Sequence, residues 1–291
     1  MVLIEQFING LNLGSIYALM ALGYTMVYGI AKMLNFAHGD IIMVGAYAIS
    51  VAATNLGLSP VMSVLVSMGT CTVLGVVTEK VAYKPLRQAS PLTVLITAIG
   101  VSYLLQSLAL LIFGSKSQKV ESVINVAPVK LGGITLTGES VVTLTVTFII
   151  MISLVLFINK TKIGKAMSAV SEDRGAAELM GINVNNTISL TFAIGSFLAA
   201  VAGTLFVSSY GFVDPYTGAL PGIKAFVAAV LGGIGSIPGA MLGGIILGII
   251  ESLSKAYIST QLSDAVVFGV LIVVLLVKPA GLLGKQKITK V

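Results

Sequence analysis

The stretch IGKAMSAVSEDRGAAELMGI, from Ile163 to Ile182, carries five charged side chains within an otherwise apolar chain. Apolar runs of about 20 residues precede and follow it, and a run of that length can cross a bilayer core of roughly 30 Å. The stretch is longer and more regularly patterned than a simple turn between two spans. We therefore predict a short helical hairpin that lies on one face of a membrane.

The composition of the chain is typical of a polytopic α-helical membrane protein. Of its 291 residues, 56% are hydrophobic and only 10% are charged, whereas a soluble domain carries about 25% charged residues. A transmembrane barrel would show alternating segments of roughly ten residues, but the apolar runs here are continuous. The 32 glycines suit helices that pack closely in lipid. The predicted fold class is thus all-α.

Several other classes of protein are disfavoured by charge and cysteine content. The net charge of +6 comes from basic residues that are spread over several loops, which is typical of membrane-orientation signals and not of nucleic-acid binding. Cys71 is the single cysteine, so no intrachain disulfide can form, and we expect it to be a buried packing residue. The N-terminal residues lack a basic n-region, so the first apolar run is expected to be retained.

Nine membrane spans are predicted from the apolar runs and from the Pro and Gly residues that bound them. They lie near residues 4–29, 36–55, 60–81, 91–113, 140–158, 187–208, 222–234, 239–258 and 263–277. As one helix, the region 222–258 would be roughly 55 Å long, which is too long for one crossing. The sequence GGIGSIPG, from Gly232 to Gly239, would also interrupt it. We therefore predict a Gly-broken helix near 232–239.

The distribution of basic residues tests this division. With nine crossings, twelve of the 17 Lys and Arg residues lie on one side and five on the other. If residues 222–258 crossed only once, the two sides would hold nine and eight. Basic residues concentrate on the cytoplasmic side, so nine crossings are favoured, with the N-terminus outside and the C-terminus in the cytoplasm. A re-entrant segment, which would give eight crossings, remains the alternative.

Two hydrophilic connections separate the spans. Residues 114–139 are predicted to face outside as an irregular or short-stranded loop, and residues 159–186, which contain the hairpin, to face the cytoplasm. Neither connection is long enough to form a folded domain. Residues 1–291 are therefore expected to form a single membrane domain with no soluble enzyme attached.

The chain lacks the sequence patterns of an enzyme or of a self-powered transporter. It has no GxxxxGK[ST] loop for ATP phosphates, and one histidine with one cysteine argues against a metal site. No Ser/His/Asp arrangement has sequence support. Proton or sodium coupling usually needs polar groups in mid-membrane, whereas most acidic residues here lie near predicted span ends. A transport function would therefore take its energy from another protein.

The hairpin has features of a protein-binding surface. Lys165 to Val170 form its first helical part, Ser171 or Asp173 caps the second, and Gly181 ends it. Glu172 and Asp173 are expected in the first turn of the second helix, where the helix dipole favours them. An Ala-rich apolar side with mixed charge opposite favours a partner's groove over lipid head groups, which favour larger anchors and a basic face. The apolar side comprises Ala166, Met167, Ala169, Val170, Ala176, Ala177, Leu179 and Met180.

Two further motifs allow both a structural and a functional interpretation. In LNFAHGD, from Leu34 to Asp40, Asn35 and Asp40 suit a helix N-terminus, while a polar, Gly-kinked helix start could instead line a cavity. In LGGIGSIPGAMLGG, from Leu231 to Gly244, glycines at four-residue spacing suit close helix packing. A broken helix whose backbone ends face a pathway is the functional alternative.

Three segments of this sequence resemble LivH-type permeases, the membrane subunits of bacterial branched-chain amino acid ABC importers. They are LGYTMVYGIAKMLNFAHGDIIMVGAY (Leu22–Tyr47), GKAMSAVSEDRGAAELMGI (Gly164–Ile182) and KAFVAAVLGGIGSIPGAMLGGIILGIIESLS (Lys224–Ser254). The resemblance implies a multi-pass protein of the bacterial inner membrane, with 114–139 in the periplasm. The implied partners are a LivM-type sister permease, two cytoplasmic ATP-binding subunits that bind the ATP, an external solute-binding protein and membrane lipid. No cofactor is implied for this chain.

The resemblance also implies roles for particular residues. The cytoplasmic loop would be the coupling helix that docks on the ATPase, although it departs from the EAA-then-Gly signature of importers in general. The implied coupling residues are Gly164, Ala166, Ala169, Glu172, Asp173, Ala176, Leu179 and Gly181. The residues expected on the translocation pathway are Asn35, His38, Gly39, Asp40, Gly235 and Gly239.

The function implied is that of a permease subunit in an ATP-driven importer of branched-chain amino acids. A urea or short-amide importer is the alternative within this class. A stand-alone channel or secondary transporter is the alternative outside it, and would transport solute without ATP-binding partners.

Overall fold

The computed structural model describes residues 2–131 and 134–284, which are mostly helical. The α-helices of this part are α1 Val2–Ala31, α2 His38–Ser50, α3 Pro60–Thr78, α4 Pro91–Phe113, α5 Gly138–Lys160, α6 Lys162–Glu172, α7 Arg174–Leu179, α8 Val184–Tyr210, α9 Ala219–Gly232, α10 Ile237–Tyr257 and α11 Ser263–Val277. The short strands are β1 Gln118–Lys119, β2 Val129–Leu131, β3 Ile134–Leu136 and β4 Phe212–Val213. They form two antiparallel ribbons, β1 with β4 and β2 with β3.

The helix boundaries follow local sequence signals. Pro60 and Pro91 occupy the first positions of α3 and α4, where a missing N–H costs little. The Ser90 hydroxyl caps α4 by accepting the backbone N–H of Thr93 at 3.3 Å. Gly57 and Gly114 have φ angles of 60° and 79°, which glycine adopts without steric strain after a helix end. The predicted starts of these two spans and the predicted end of α4 at Phe113 are therefore confirmed.

Six helices within the described residues are long and apolar enough to cross a membrane. They are Leu3–Ala31, Pro60–Leu86, Pro91–Phe113, Gly138–Lys160, Val184–Tyr210 and Ile237–Tyr257. Two further apolar helices, α9 with 14 residues and α11 with 15, are shorter, about 21 to 23 Å at 1.5 Å per residue. α2 continues into a π-helical turn at Val51–Asn55. The structure thus confirms a mostly helical fold with six helices that could span a membrane.

The core is organised around α1 and α8. Helix α1 packs against α10, α8, α9 and α5, and α8 packs against α3, α1 and α2. Both helices are largely buried within this chain, whereas α3, α4 and α5 expose most of their apolar residues. In lipid, apolar exposure of that kind is compatible with contact to acyl chains or to another subunit.

Glycine contacts hold α1 and α10 together. A Cβ atom added at Gly248 would lie 2.2 Å from Gly14 Cα, and one added at Gly244 would lie 2.4 Å from the backbone nitrogen of Ala18. The backbones can approach so closely only because these residues lack a side chain. The predicted packing role of the four-residue glycine spacing is therefore confirmed for α10.

The predicted break in the region 222–258 is also observed. Helix α9 ends at Gly232, Gly233 and Gly235 have φ angles of 106° and 94°, and α10 begins at Ile237. The Ser236 hydroxyl caps α10 by accepting the N–H of Gly239 at 3.2 Å.

Contacts between connections place one set of them on a common face of the helix bundle. The Arg174 guanidinium contacts the carbonyl of Ala31, and Arg87 contacts Asn185 in the first turn of α8. The N–H of Leu282 donates to the carbonyl of Leu231 at 2.9 Å. We call this side the hairpin face. It contains the α1–α2 linker, the α3–α4 loop, the hairpin α6–α7, the α9–α10 turn and residues 278–284.

The remaining connections lie on the other side, which we call the opposite face. Pairing of β1 with β4 joins the α4–α5 connection to the α8–α9 connection. The Ser252 hydroxyl near the end of α10 donates to the carbonyl of Gln6 near the start of α1 at 2.8 Å. The α9–α10 turn and the C-terminal end of α11 therefore share a face with the hairpin, while the N-terminal end of α1 does not.

Candidate functional site

The hairpin α6–α7 is built by side-chain caps. The Thr161 hydroxyl accepts the N–H of Gly164 at 3.0 Å at the start of α6, and the Asp173 carboxylate accepts the N–H of Ala176 at 3.0 Å at the start of α7. Gly181, with a φ angle of 81°, follows the end of α7. The structure therefore selects Asp173 over Ser171 as the cap of the second helix. Glu172 is the last residue of α6, so its predicted place in the first turn of α7 is wrong.

One side of the hairpin is buried against the membrane helices. The side chains of Met167, Val170 and Ala177 are buried. A Cβ atom on Gly164 would lie 2.3 Å from Ile158 Cα, so this glycine allows α6 to pack closely on α5. The predicted apolar side is thus divided, because these residues anchor the hairpin and are not available to a partner.

The other side of the hairpin presents two large apolar side chains. Leu179 is 90% exposed and Met180 is 82% exposed, at the end of α7. Around them, Ala176, Glu178 and Gly181 are exposed, as are Glu172 and Asp173 on the connection from α6. Ala166 and Ala169 are half-buried. The exposed surface of the hairpin therefore combines an apolar pair at the end of α7 with charged side chains of both signs on α6, α7 and the connection between them.

The hairpin is linked directly to two elements that lead into the membrane. Besides the contact of Arg174 with the end of α1, a cavity of about 90 Å³ lies between α6, α1 and the α9–α10 turn. Met167, Gly29 and Gly235 are among the residues that line it. The hairpin thus contacts the end of α1 and lies beside the break between α9 and α10.

The motif LNFAHGD forms the buried α1–α2 linker and the first turn of α2. Its first polar residue, Asn35, accepts a hydrogen bond from the Tyr83 hydroxyl at 2.8 Å. The N-cap position of α2 is Ala37, without a side-chain cap. The prediction that Asn35 caps this helix is therefore wrong: its side chain joins the linker to the π-helical turn Glu79–Tyr83 that continues α3.

The next residues of this motif are packed among four helices. The His38 ring meets the Tyr24 ring edge-on with centroids 4.6 Å apart, and its Nε2 has no hydrogen-bond partner in the described part of the chain. The Asp40 carboxylate accepts a hydrogen bond from Gln106 on α4 at 2.8 Å. A Cβ atom on Gly39 would lie 2.5 Å from the carbonyl oxygen of Gly218. In this conformation the motif is therefore a packing centre, and its role in a pathway stays a prediction.

The two glycines predicted on the pathway differ in their surroundings. A Cβ atom on Gly239 would lie 2.4 Å from the carbonyl oxygen of Gly232, so Gly239 holds α10 against the end of α9. Gly235 lines the 90 Å³ cavity beside the hairpin. Close packing is the interpretation that the geometry supports for Gly239.

A buried charge cluster joins α1, α9, α10 and α11. Lys224 contacts Glu251 at 2.8 Å and Asp264 at 2.6 Å, and Lys255 contacts Glu251 at 2.6 Å. The Tyr17 hydroxyl donates to the other oxygen of Glu251 at 2.9 Å. The apolar runs of the sequence predict only that most acidic residues lie near span ends, and they give no partner for Glu251 or Asp264. The four-residue spacing of Glu251 and Lys255 was the available signal.

A second polar cluster lies on the hairpin face. The buried carboxylate of Glu79 contacts Arg87 in a salt bridge and accepts a hydrogen bond from Ser189 on α8 at 2.6 Å. Arg87 also contacts Asn185. This cluster ties the end of α3 to the start of α8, next to the hairpin. Within residues 2–131 and 134–284, no group of three or more His, Cys, Asp or Glu residues is arranged to hold a metal ion.

Comparison with known proteins agrees with this architecture. Residues 6–275 match the family described as branched-chain amino acid transport system, permease component. The chain is 46% identical to LivH of Escherichia coli K12, the permease protein of a high-affinity branched-chain amino acid transport system, over 99% of this chain and 97% of LivH. It is 44% identical to the corresponding protein BraD of Pseudomonas aeruginosa, over 99% of this chain and 98% of BraD.

A solved structure also shares the fold. A metal-chelate type ABC transporter in an inward-facing conformation aligns with a TM-score of 0.50 at 18% identity, over 94% of this chain and 87% of that one. Since the family match spans nearly the whole chain, this protein belongs to the family of permease components of branched-chain amino acid transport systems.

Proposed function

We propose that this chain is a permease subunit of an ATP-driven importer of branched-chain amino acids, and that ATP-binding partner subunits drive it through the hairpin α6–α7. The observation that supports this coupling role is the exposed pair Leu179 and Met180, held on a hairpin whose other side is buried against α5 and α1. A partner's groove can accept such an apolar pair. The chain itself hydrolyses nothing; its partners bind ATP.

The proposed movement is a rigid-body displacement of the hairpin. Its buried side contacts α1 through Arg174 and Ala31, and it shares a cavity with Gly29 and Gly235. Closure of the ATP-binding subunits would shift the hairpin, and the ends of α1 and α9 would move with it. Packed helices respond to such shifts by switching between discrete arrangements. A LivM-type sister permease would form the second half of the pathway, and an external binding protein would deliver the solute.

The function is tested by uptake into liposomes that contain this chain with its sister permease, its ATP-binding subunits and its binding protein. We expect ATP-dependent uptake of labelled leucine, with competition by isoleucine and valine and none by urea. Control liposomes contain this chain alone. Uptake of leucine by those liposomes without ATP would contradict the proposal, because a channel or secondary transporter needs no ATP-binding partner.

We propose further that the hairpin face is cytoplasmic and that α9 and α11 complete nine crossings, with the N-terminus outside. The excess of basic residues on the hairpin side supports this orientation. The contact of residues 282 and 283 with the end of α9 supports the crossings, because it puts the C-terminal ends of α9 and α11 on the same face.

The orientation is tested by cysteine labelling in intact cells. The native Cys71 is buried and gives little background. A membrane-impermeant maleimide is expected to label Gln261→Cys from outside and to spare Lys165→Cys until the cells are opened. Labelling of both positions from outside would contradict the proposed orientation.

A further inference from the structure

A cavity of about 370 Å³ lies on the hairpin face, between the α1–α2 linker, the α3–α4 loop and α7. Each of these three elements contributes one basic residue to its lining: Lys32, Arg87 and Arg174 respectively. The rest of the lining is mostly apolar, and includes Met33 and Val94. We call this space the basic cavity.

The two arginines of the basic cavity have few polar partners for their guanidinium groups. Arg87 forms a salt bridge with Glu79, yet its Nε atom is buried and has no hydrogen-bond partner within the described ranges. Arg174 donates to the carbonyl of Ala31, and the structure pairs it with no carboxylate of residues 2–131 or 134–284. Of the two arginines, only Arg87 therefore contacts a carboxylate.

The two guanidinium groups also disfavour one another. Burial lowers the pKa of Arg174, and the nearby positive charge of Arg87 lowers this pKa further. Repulsion between two cations grows as water is excluded from around them. An anion bound between them would offset that repulsion, and the fork geometry of arginine suits the oxygens of a phosphate.

The surroundings favour a phosphate that is attached to acyl chains. The basic cavity lies on the hairpin face at the ends of apolar helices, and basic pockets between helices near a membrane surface bind anionic head groups. The lining beside these charges is mostly apolar, with Met33 and Val94 among its residues, and an apolar lining suits the first carbons of an acyl chain. We propose that the basic cavity binds the head group of an anionic phospholipid.

This lipid would hold the hairpin to the membrane helices. Arg174 belongs to α7, Lys32 follows α1, and Arg87 precedes α4, so one phosphate would contact three elements that converge on the hairpin. Binding of the lipid thus concerns the anchoring of the hairpin and is independent of which solute is carried.

The test is lipid retention by the purified full-length chain, measured by native mass spectrometry after exchange into phosphatidylglycerol or phosphatidylcholine. We expect preferential retention of phosphatidylglycerol by the native chain. Arg174→Gln should reduce that retention about tenfold, since one charge-assisted contact to phosphate is lost. The matched control is Lys162→Gln, which removes an exposed positive charge from α6 outside the cavity and should change nothing.

A second variant and two competitors make the result decisive. Lys32→Gln should also lower retention, so failure of one variant to fold would not end the test. Equal retention by the native chain and both cavity variants would overturn the proposal. It would also be overturned if millimolar glycerol 3-phosphate displaced the lipid, which would identify a soluble anion, or if the ATP-binding subunits displaced it, which would identify a protein occupant.

Discussion

At the scale of single residues, Glu251 is the centre of a charge cluster that joins several of the described helices. Its carboxylate accepts a hydrogen bond from Tyr17 and forms salt bridges with Lys224 and Lys255, and these three residues lie on three different helices. Burying a charge in an apolar surrounding is costly unless a partner compensates it. The cluster therefore determines how α1, α9 and α10 are arranged near the opposite face. Its net contribution to the free energy of unfolding is small by comparison.

We expect Glu251→Gln to destabilise the fold by about 3 kcal/mol, because it leaves Lys224 with only the half-exposed Asp264 as a partner. The double variant with Lys224→Met should cost less than the sum of the two single variants. The chain has no tryptophan, but its single cysteine is buried, so reaction of Cys71 with a fluorogenic maleimide on heating reports unfolding. The control is Glu178→Gln on the exposed hairpin surface. Strict additivity of the two variants would contradict the pairing.

At the scale of elements, the sequence predicted most helices because each apolar run ends at a strong local signal. Four residues mark boundaries that tertiary contacts do not change: Pro60 and Pro91 at the starts of α3 and α4, Gly57 before α3, and Gly114 after α4. The start of α2 was harder to predict. Asn35 is a good capping residue, but a hydrogen bond from Tyr83, 48 residues away, takes its side chain elsewhere. The local sequence around Asn35 cannot reveal a contact between residues so far apart in the chain.

The packing of α1 against α10 gives a prediction at this scale. Gly248→Ala should destabilise the fold by roughly 1 to 3 kcal/mol, because the added methyl group must displace the backbone of Gly14. The matched control is Gly269→Ala on α11, where no atom lies within 4 Å of the added Cβ; there the better helix propensity of alanine should be neutral or slightly stabilising. The Cys71 unfolding assay compares the two. Equal effects would show that the contact of α1 with α10 does not depend on a missing side chain.

At the scale of the whole molecule, the sequence predicted the class of fold and the position of the hairpin, since both depend on composition and on the order of apolar runs. It could not predict which side of the hairpin is free. Leu179 and Ala177 are only two residues apart and both apolar, yet one is exposed and the other is buried against the bundle. That division depends on how α6 and α7 sit on α1 and α5, which only the assembled structure shows.

The most direct test of the account is ATP-dependent leucine uptake by the reconstituted importer that carries Leu179→Asp in this chain. A carboxylate in place of the exposed leucine should lower uptake at least about tenfold, as expected for the loss of an apolar contact at the centre of an interface, while the chain keeps its thermal stability. Ile258→Asp, an equally drastic change at a 62% exposed residue of the opposite face, should leave uptake near that of the native importer. The Leu179→Asp importer could instead take up leucine at the native rate with its ATP-binding subunits still bound. That result would contradict the claim that the hairpin couples ATP hydrolysis to transport.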